Sequence, residues 1–279
     1  MSSPAMTDSF RHWDEFTLRL RDAPRACVLS DFDGTLTPLV QRPELPTLST
    51  AARSAIESLV RNPYASFGVV SGRSLADIRR RVDVEGIWHV GNHGYEIRRP
   101  TGEEHFFYDP EDVRHLDLLR EDLERRTVSI EGVTLEPKGP ILAVHFRQVD
   151  PARVVDVERA FVEAVDTRSQ RLMMTRGNMV LEARLRASCN KGTAIRFIRR
   201  ELPSRALVIY FGDDCTDRDA FRELRSWGLS IQVGGEGAGL AGFTLPDSDA
   251  VIEAFHRIDQ ALLGPRGTPS SKAPWRSSS

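Results

Sequence analysis

Four short apolar runs rich in branched residues, ACVLS (26–30), FGVV (67–70), ALVIYF (206–211) and LSIQV (229–233), recur along the chain with helical patterns between them. A strand that is apolar throughout must be covered on both faces, and strands that alternate with helices are joined by crossovers. The pattern predicts an α/β fold whose core is a doubly wound parallel sheet. Helix starts fit this order: Ser74 with Asp77 suits a capping box before LADIRRRV, Asn190 suits a cap for KGTAIRFIRREL, and Thr216 with Asp219 suits a cap for DRDAFRELRSW. With 279 residues, 40% of them hydrophobic, there is material for one large domain or two moderate ones.

A different rhythm interrupts the core. From Pro110 a helical pattern is followed by VTLEPK and ILAVHFRQ around Gly139 and Pro140, then by a second helical pattern from Pro151, then by RLMMT and MVLEARL around Gly177 and Asn178. The order α, β, β, α, β, β with two turn-marked hairpins predicts an inserted α+β cap domain over 109–183. The core then comprises 1–108 and 184–266, and the Pro-, Ser- and Gly-rich end, 267–279, has too little to bury and reads as a disordered tail.

Charge and cysteine usage exclude several functions. Thirty-eight Lys and Arg nearly cancel 40 Asp and Glu, a net charge of −2, so neither a nucleic-acid backbone nor an anionic membrane is an expected partner. The three cysteines, Cys27, Cys189 and Cys215, have no metal-ligand spacing and suit reduced thiols better than a disulfide framework. No apolar run has the length of a membrane span and the first residues lack a signal-peptide core, so the chain reads as soluble and cytoplasmic.

Ligands of open parallel sheets bind beyond the carboxyl ends of the strands, and four motifs fall there. In DFDGT, Asp31 and Asp33 end the first apolar run two residues apart, pointing to one side while Phe32 points away, and Gly34 lets the chain turn closely. Two like charges so near each other call for a compensating cation or donors. GDDCTD gathers Asp213, Asp214 and Asp217 after ALVIYF; these acids either complement a helix dipole or join Asp31 and Asp33 around a hard cation such as Mg²⁺. Ser71 and Gly72 of SGR precede a helix, where they either cap it or bind an anion. Lys191 falls in a first helical turn, an unfavourable place for a cation unless an anion lies between it and the Ser71 loop, the alternative being a solvated lysine. GAGLAG (237–242) matches a dinucleotide-binding pattern but no helix opens there before Pro246, so it is set aside.

Asp31-Phe32-Asp33-Gly34-Thr35, Ser71, Lys191 and Gly212-Asp213-Asp214 together resemble, in order and placement, the motifs of haloacid-dehalogenase-type phosphatases. The fuller set, DFDGTL, SGR, GNHG (91–94), EPKGPILAVHFR (136–147), LEARL with NKG, and GDDCTDRDAF, is similar to the trehalose-6-phosphate phosphatase family from about Arg25 to Leu263. That resemblance implies a Rossmann-like core, an inserted α/β cap, and Mg²⁺-dependent hydrolysis of a small-molecule sugar phosphate, trehalose 6-phosphate, with functional coupling to a trehalose-6-phosphate synthase. It implies Asp31 as nucleophile and Asp33 as proton shuttle; Mg²⁺ on Asp31, the main-chain carbonyl of Asp33 and Asp213, with Asp214 and Asp217 supporting; and phosphoryl binding by Ser71, Gly72 and Lys191. Sucrose-phosphate or mannosylglycerate-type phosphatases share the chemistry and remain alternatives, as does a non-catalytic sensor.

Selectivity is expected from the cap. Period-two alternation puts Glu136 and Lys138 on one face of their strand and His145 and Arg147 on one face of the next, against Leu142, Val144 and Phe146. That polar face is either solvated or suited to sugar hydroxyls, with Glu182 joining it and Asn92, His93 and Gly94 lining the entrance. Arg73 reads as a structural ion-pair partner. Two positions depart from the family pattern: Arg218 stands where Glu is usual, and Leu185 where Pro is usual after the cap glutamate and arginine.

Overall fold

The computed structural model describes residues 13–38, 46–177, 179–186, 189–234 and 241–264. Its first elements are α1 (Trp13–Asp22), β1 (Ala26–Ser30), α2 (Thr50–Arg61), β2 (Ala65–Val70), α3 (Leu75–Val82), β3 (Trp88–Gly91), β4 (Glu96–Arg98) and β5 (Glu104–Phe106). A second group follows: α4 (Val113–Thr127), β6 (Thr134–Pro137), β7 (Ile141–His145), α5 (Val154–Asp166), β8 (Leu172–Gly177) and β9 (Val180–Leu185). The chain then continues with α6 (Lys191–Glu201), β10 (Leu207–Gly212), α7 (Arg218–Leu224), β11 (Leu229–Val233), β12 (Phe243–Leu245) and α8 (Ser248–Leu263).

The larger sheet has the order β12-β11-β10-β1-β2-β3-β4-β5. It is parallel from β12 to β3. Side chains alternate between its two faces, and both faces are buried. Val28, Phe67, Val69, Ile209 and Phe211 pack with α1, α2, α3 and α8, whereas Cys27, Leu29, Val70, Val208 and Tyr210 pack with α6 and α7. Each fully buried Phe or Leu contributes about 1.5–3 kcal/mol, which is why these strands carry apolar residues at every position rather than at alternate ones. The fold is therefore the α/β, doubly wound core that the apolar runs predict. Two short antiparallel strands, β4 and β5, extend its edge beyond that expectation; at three residues each, EIR and EHF offer no apolar run to read.

The smaller sheet, β6-β7-β9-β8, is antiparallel throughout. Leu142 and Val144 of β7, Leu181, Ala183 and Leu185 of β9 and Leu172 of β8 face α4 and α5, forming a separate apolar core with Leu119, Leu123, Val157 and Phe161. Its opposite face is polar. The two layers are tied where the chain leaves the smaller sheet, the Tyr95 hydroxyl donating to the Leu185 carbonyl at 2.6 Å.

Ser74 and Asn190 cap their helices through the backbone N–H groups of Asp77 and Thr193. Thr216 does not cap the next one. Asp214 opens a 3-10 turn over Cys215–Asp217 and α7 starts only at Arg218, because an Asp side chain offers the stronger acceptor for exposed N–H groups. Arg147 is also displaced from its expected position: β7 ends at His145 and Arg147 falls in the exposed turn that follows, the ladder closing with the Phe146 N–H on the Met179 carbonyl at 3.2 Å. The tail at 267–279 and residues 237–240 of the Gly-rich stretch lie outside the described residues. Among the described residues no helix is long and apolar enough to cross a membrane.

Candidate active site

The carboxyl ends of β1 and β10 meet at a buried charged floor. Asp31 follows β1 directly and donates its N–H to the Phe211 carbonyl at 2.8 Å, which extends the ladder by one residue. Its Oδ1 accepts from the Phe32 N–H at 2.8 Å, and its Oδ2 lies 3.0 Å from Nζ of Lys191, the first residue of α6. Beneath them Asp217, wholly buried, is held at every oxygen. Oδ1 accepts from Lys191 Nζ at 2.7 Å and the Tyr210 hydroxyl at 2.5 Å; Oδ2 accepts from the N–H groups of Asp213 and Asp214 at 3.0 and 2.9 Å. Asp217 thus anchors the lysine and fixes the loop that carries Asp213. The unfavourable helix-end lysine of the sequence is explained: it is buried between two carboxylates.

Asp213 reaches the floor from the other side, its Oδ1 accepting from the Thr35 hydroxyl at 2.9 Å. The fit depends on Gly34, whose φ is +82° and where an added Cβ would lie 2.1 Å from Asp213 Oδ2. Burial pushes the Asp213 carboxyl up to about 6, with Thr35 opposing and Asp217 reinforcing the rise. Burial likewise raises Asp31 well above the ordinary carboxylate range, against the pull of Lys191 and with the help of Asp217 and Asp213. Lys191 is held protonated, because Asp31 and Asp217 outweigh the effect of burial.

Oxygens of Asp31, Asp213 and Asp217 all lie within 4.8 Å of one another. Three carboxylates facing one ammonium leave an excess of negative charge in a low-dielectric place, and an all-oxygen donor set suits a hard divalent cation. The residues present therefore fit a divalent metal, with Asp31 and Asp213 the carboxylates best placed to hold it, since each Asp217 oxygen already accepts from two donors while those of Asp31 have one each. Asp214 is exposed and accepts from the Cys215 N–H, which makes it a turn cap rather than a member of the cluster.

Asp33 is turned to the rim, where Arg73 grips it with two bonds, Nε to Oδ2 at 2.7 Å and Nη2 to Oδ1 at 2.6 Å. Arg73 also donates to Asp77 at 3.1 Å. Burial would raise Asp77, but hydrogen bonds from Arg81, Arg80 and Arg73 overrule it and take the carboxyl down to about 2.

Ser71 is buried, its Oγ accepting from the Arg73 N–H at 3.1 Å and its carbonyl from the His93 N–H at 2.9 Å. Gly72 lies under the His93 ring, so close that a Cβ there would come within 2.5 Å of Cε1. Asn92 and His93 both adopt positive φ, 49° and 58°, a costly conformation retained only where surroundings dictate it. Asn92 donates from Nδ2 to the Lys138 carbonyl at 2.8 Å, which joins the core loop to the smaller sheet, while Gly94 packs against the Asn190 carbonyl. His93 is driven well below the usual imidazole range, first by burial and then by Arg184, Lys191 and Lys138. Charges from α6 and from the smaller sheet thus act on one ring.

On the polar face of the smaller sheet, Glu136, Ala143, Glu182 and Thr175 line up across four strands. Glu136 Oε2 lies 3.2 Å from Lys138 Nζ and 2.8 Å from His145 Nε2, and the His145 bond is the chief reason its carboxyl is lowered. Glu182 accepts from Thr175 at 3.3 Å and from Arg184 at 3.1 and 2.5 Å. Glu136, Lys138, His145 and Glu182 are therefore gathered on one face, and Arg147 is not among them.

Sequence reasoning missed several supporting groups. Arg184, noted in the sequence only for its place beside Leu185, is two residues from Glu182 on β9 and lies on the same face, so period-two alternation applied to that strand selects both. Tyr210 is hidden inside an apolar run, and Gln232, whose Nε2 donates to the Asp213 carbonyl at 2.8 Å, comes from β11 without any local signal. Arg73 is an ion-pair partner as expected, but of Asp33 itself.

Comparison with known proteins fits this arrangement. The family model described as trehalose-phosphatase matches residues 29–237. The trehalose-phosphate phosphatase of Mycobacterium marinum is 34% identical over 250 residues, covering 86% of this chain; the chain spans 63% of the length of that relative. Among solved structures, the C-terminal domain of Candida albicans trehalose-6-phosphate phosphatase superposes with a TM-score of 0.74 at 21% identity, over 89% of this chain and 97% of that one. The C-terminal domain of the C. albicans trehalose synthase regulatory protein does so with a TM-score of 0.67 at 11% identity, over 88% and 97%. At those identities the structural likeness speaks for the fold alone. The family match, which covers the strand-end motifs and the smaller sheet alike, carries the assignment: this chain belongs to the trehalose-phosphatase family.

Proposed function

We propose that the chain hydrolyses trehalose 6-phosphate to trehalose and inorganic phosphate. The observation that carries this reading is the floor: a buried aspartate in contact with a buried lysine, with a second acid, Asp213, turned toward it. Asp31 attacks phosphorus through a carboxylate oxygen, the bond to the sugar oxygen breaks, and that oxygen takes a proton from Asp33. Water then attacks the aspartyl phosphate, giving a proton to Asp33 and releasing phosphate and the Asp31 carboxylate. Asp33 has to turn away from Arg73 to reach the leaving oxygen. Lys191, Ser71 and the backbone at Gly72 bind the phosphoryl oxygens, while Asp217 and Tyr210 hold Lys191 in place.

Mg²⁺ held by Asp31, Asp213 and the Asp33 carbonyl would supply positive charge that lets an anionic side chain approach an anionic ester. Glu136, Lys138, His145 and Glu182, with Asn92 and His93 beneath, bind the sugar. A cytoplasmic setting and coupling to a trehalose-6-phosphate synthase belong to the same proposal. A regulatory role without catalysis would need neither Asp31 nor Lys191, and both are present.

The test is phosphate release by the purified protein from a panel of sugar phosphates, with and without Mg²⁺. Trehalose 6-phosphate should be the preferred substrate and EDTA should abolish turnover. Better turnover of sucrose 6-phosphate would move the assignment to another sugar, and no turnover of any member would end it.

A further inference from the structure

A second polar cavity lies away from the floor, between the last turn of α3 and strands β3 and β4. It has a volume of about 290 Å³ and is bordered by Arg79, Arg80, Asp83, Glu85, His89 and Arg98. His89 and Arg98 are cross-strand partners in the β3–β4 ladder, so their side chains leave the same face as neighbours. His89 is 2% exposed and neither ring nitrogen has a partner in hydrogen-bonding geometry. Arg98 has a side chain only 13% exposed, and its ion pair among the described residues is a 3.8 Å contact with Glu85, itself 88% exposed.

The remaining charges are arranged around this inner pair. Arg79 is partnered by Glu104 at 3.2 Å and Arg80 by Asp77 at 2.7 Å. Asp83 and Glu85 are exposed at the rim. The inner end thus presents a largely buried guanidinium whose counter-charge, Glu85, stands 3.8 Å away at the exposed rim, beside a buried imidazole that reaches no acceptor in good geometry, the Ile87 backbone being only near it. Both are costly as they stand, because a buried cation needs an anion and a buried N–H needs an acceptor. Burial holds His89 down at about 4, Arg98 and Arg79 contribute in the same direction, and the Ile87 backbone opposes them in part. Its ring is therefore neutral near pH 7 and offers one N–H donor.

We propose that this cavity is a binding site for a small phosphate-class oxyanion, taken by Arg98 through its paired N–H groups and by His89 through its ring N–H. A guanidinium matches two oxygens of such an anion at once, and the volume leaves room for a small ester as well as for the free ion. The site is distinct from the floor: α3 separates its last turn, at the cavity, from the Ser71 loop that precedes its first.

The experiment follows the ring resonance of His89 by NMR, identified as the signal missing from His89→Phe, while inorganic phosphate or glycerol 3-phosphate is added. A saturable shift with either anion, unchanged in Ser71→Ala and weakened at least tenfold in Arg98→Gln, is the expected result, and the anion with the tighter curve identifies the source. Glycerol alone should cause none. No shift with either anion, a shift that survives Arg98→Gln unweakened, or one that vanishes in Ser71→Ala would overturn the site. Should Arg98→Gln fail to fold, wild-type crystals soaked in tungstate decide the matter: an anomalous peak within hydrogen-bond reach of Arg98 and His89 supports the proposal, and its absence there refutes it.

Discussion

The floor and the polar face of the smaller sheet are both networks of acids and bases, yet they are built to opposite standards. On the floor, Lys191 is 2% exposed and Asp217 wholly buried; at the outer end of the sheet face, Glu136 is 49% and His145 37% exposed, while Glu182 and Arg184 farther along it are 14% exposed. Buried charges are tolerable only when every lone pair and proton is used, and Asp217, with four donors on two oxygens, meets that condition. A half-exposed pair such as Glu136 and His145 contributes little and exchanges partners with water easily. A network that cannot rearrange suits chemistry on one group of fixed geometry. One that can rearrange suits a ligand carrying many hydroxyls.

Four measurements would break or sharpen this contrast. The largest effect is expected from Asp31→Asn, which keeps the shape of the floor but removes the attacking charge: turnover should fall by at least ~10³-fold. A fall under tenfold in a phosphate-release assay would detach the floor from catalysis. Next, Lys191→Met leaves Asp31 and Asp217 buried against each other and should cost about 3–5 kcal/mol of stability in urea unfolding. Glu136→Ala, by contrast, should cost under about 1 kcal/mol; equal losses would erase the distinction between the two networks.

Third, Lys138→Ala and Glu182→Ala should each lower hydrolysis of trehalose 6-phosphate by roughly tenfold, while changing that of a small aryl phosphate by less than about threefold. Parallel losses on both substrates would show that the sheet face does not act through the sugar. The last effect, at neutral pH the smallest, concerns His89, a buried group outside both networks. Because its folded-state value is lowered from 6.5 to about 4, the stability it contributes is fully present above about pH 6.5 and is lost as the pH falls toward 4. The slope in that window is at most about 1.4 kcal/mol per pH unit. His89→Phe should flatten it in acid unfolding curves, and an unchanged slope would assign it to other groups.

Much of this was legible in the residues, for reasons that differ from place to place. The doubly wound core followed from apolar runs that alternation alone could not explain, because each strand buries both faces. The polar face of the smaller sheet followed in part from period two, which placed Glu136 with Lys138 and picked out His145, but alternation does not announce where a strand stops, and Arg147 was lost to the turn after His145. The acids of the strand ends were visible as motifs. Their partners were not: Tyr210 looks like one more core residue until its hydroxyl meets Asp217, and Gln232 supports Asp213 from a strand nearly twenty positions away. Thr216 failed as a cap because Asp214 opens a 3-10 turn over Cys215–Asp217, which puts Thr216 inside that turn and starts α7 only at Arg218. Local pattern reveals what a segment buries, and it is silent about which distant side chain completes a hydrogen bond.

Leu185 has a consequence of its own. Its amide donates to the Pro140 carbonyl at 3.0 Å, and its carbonyl receives the Tyr95 hydroxyl. A proline there would keep the second bond and forfeit the first, which is worth about 1 kcal/mol. In this chain the seam between the hairpin turn and the outgoing strand is stitched by a leucine, so peeling the smaller sheet from that end starts against one more fastening than an imino acid could provide.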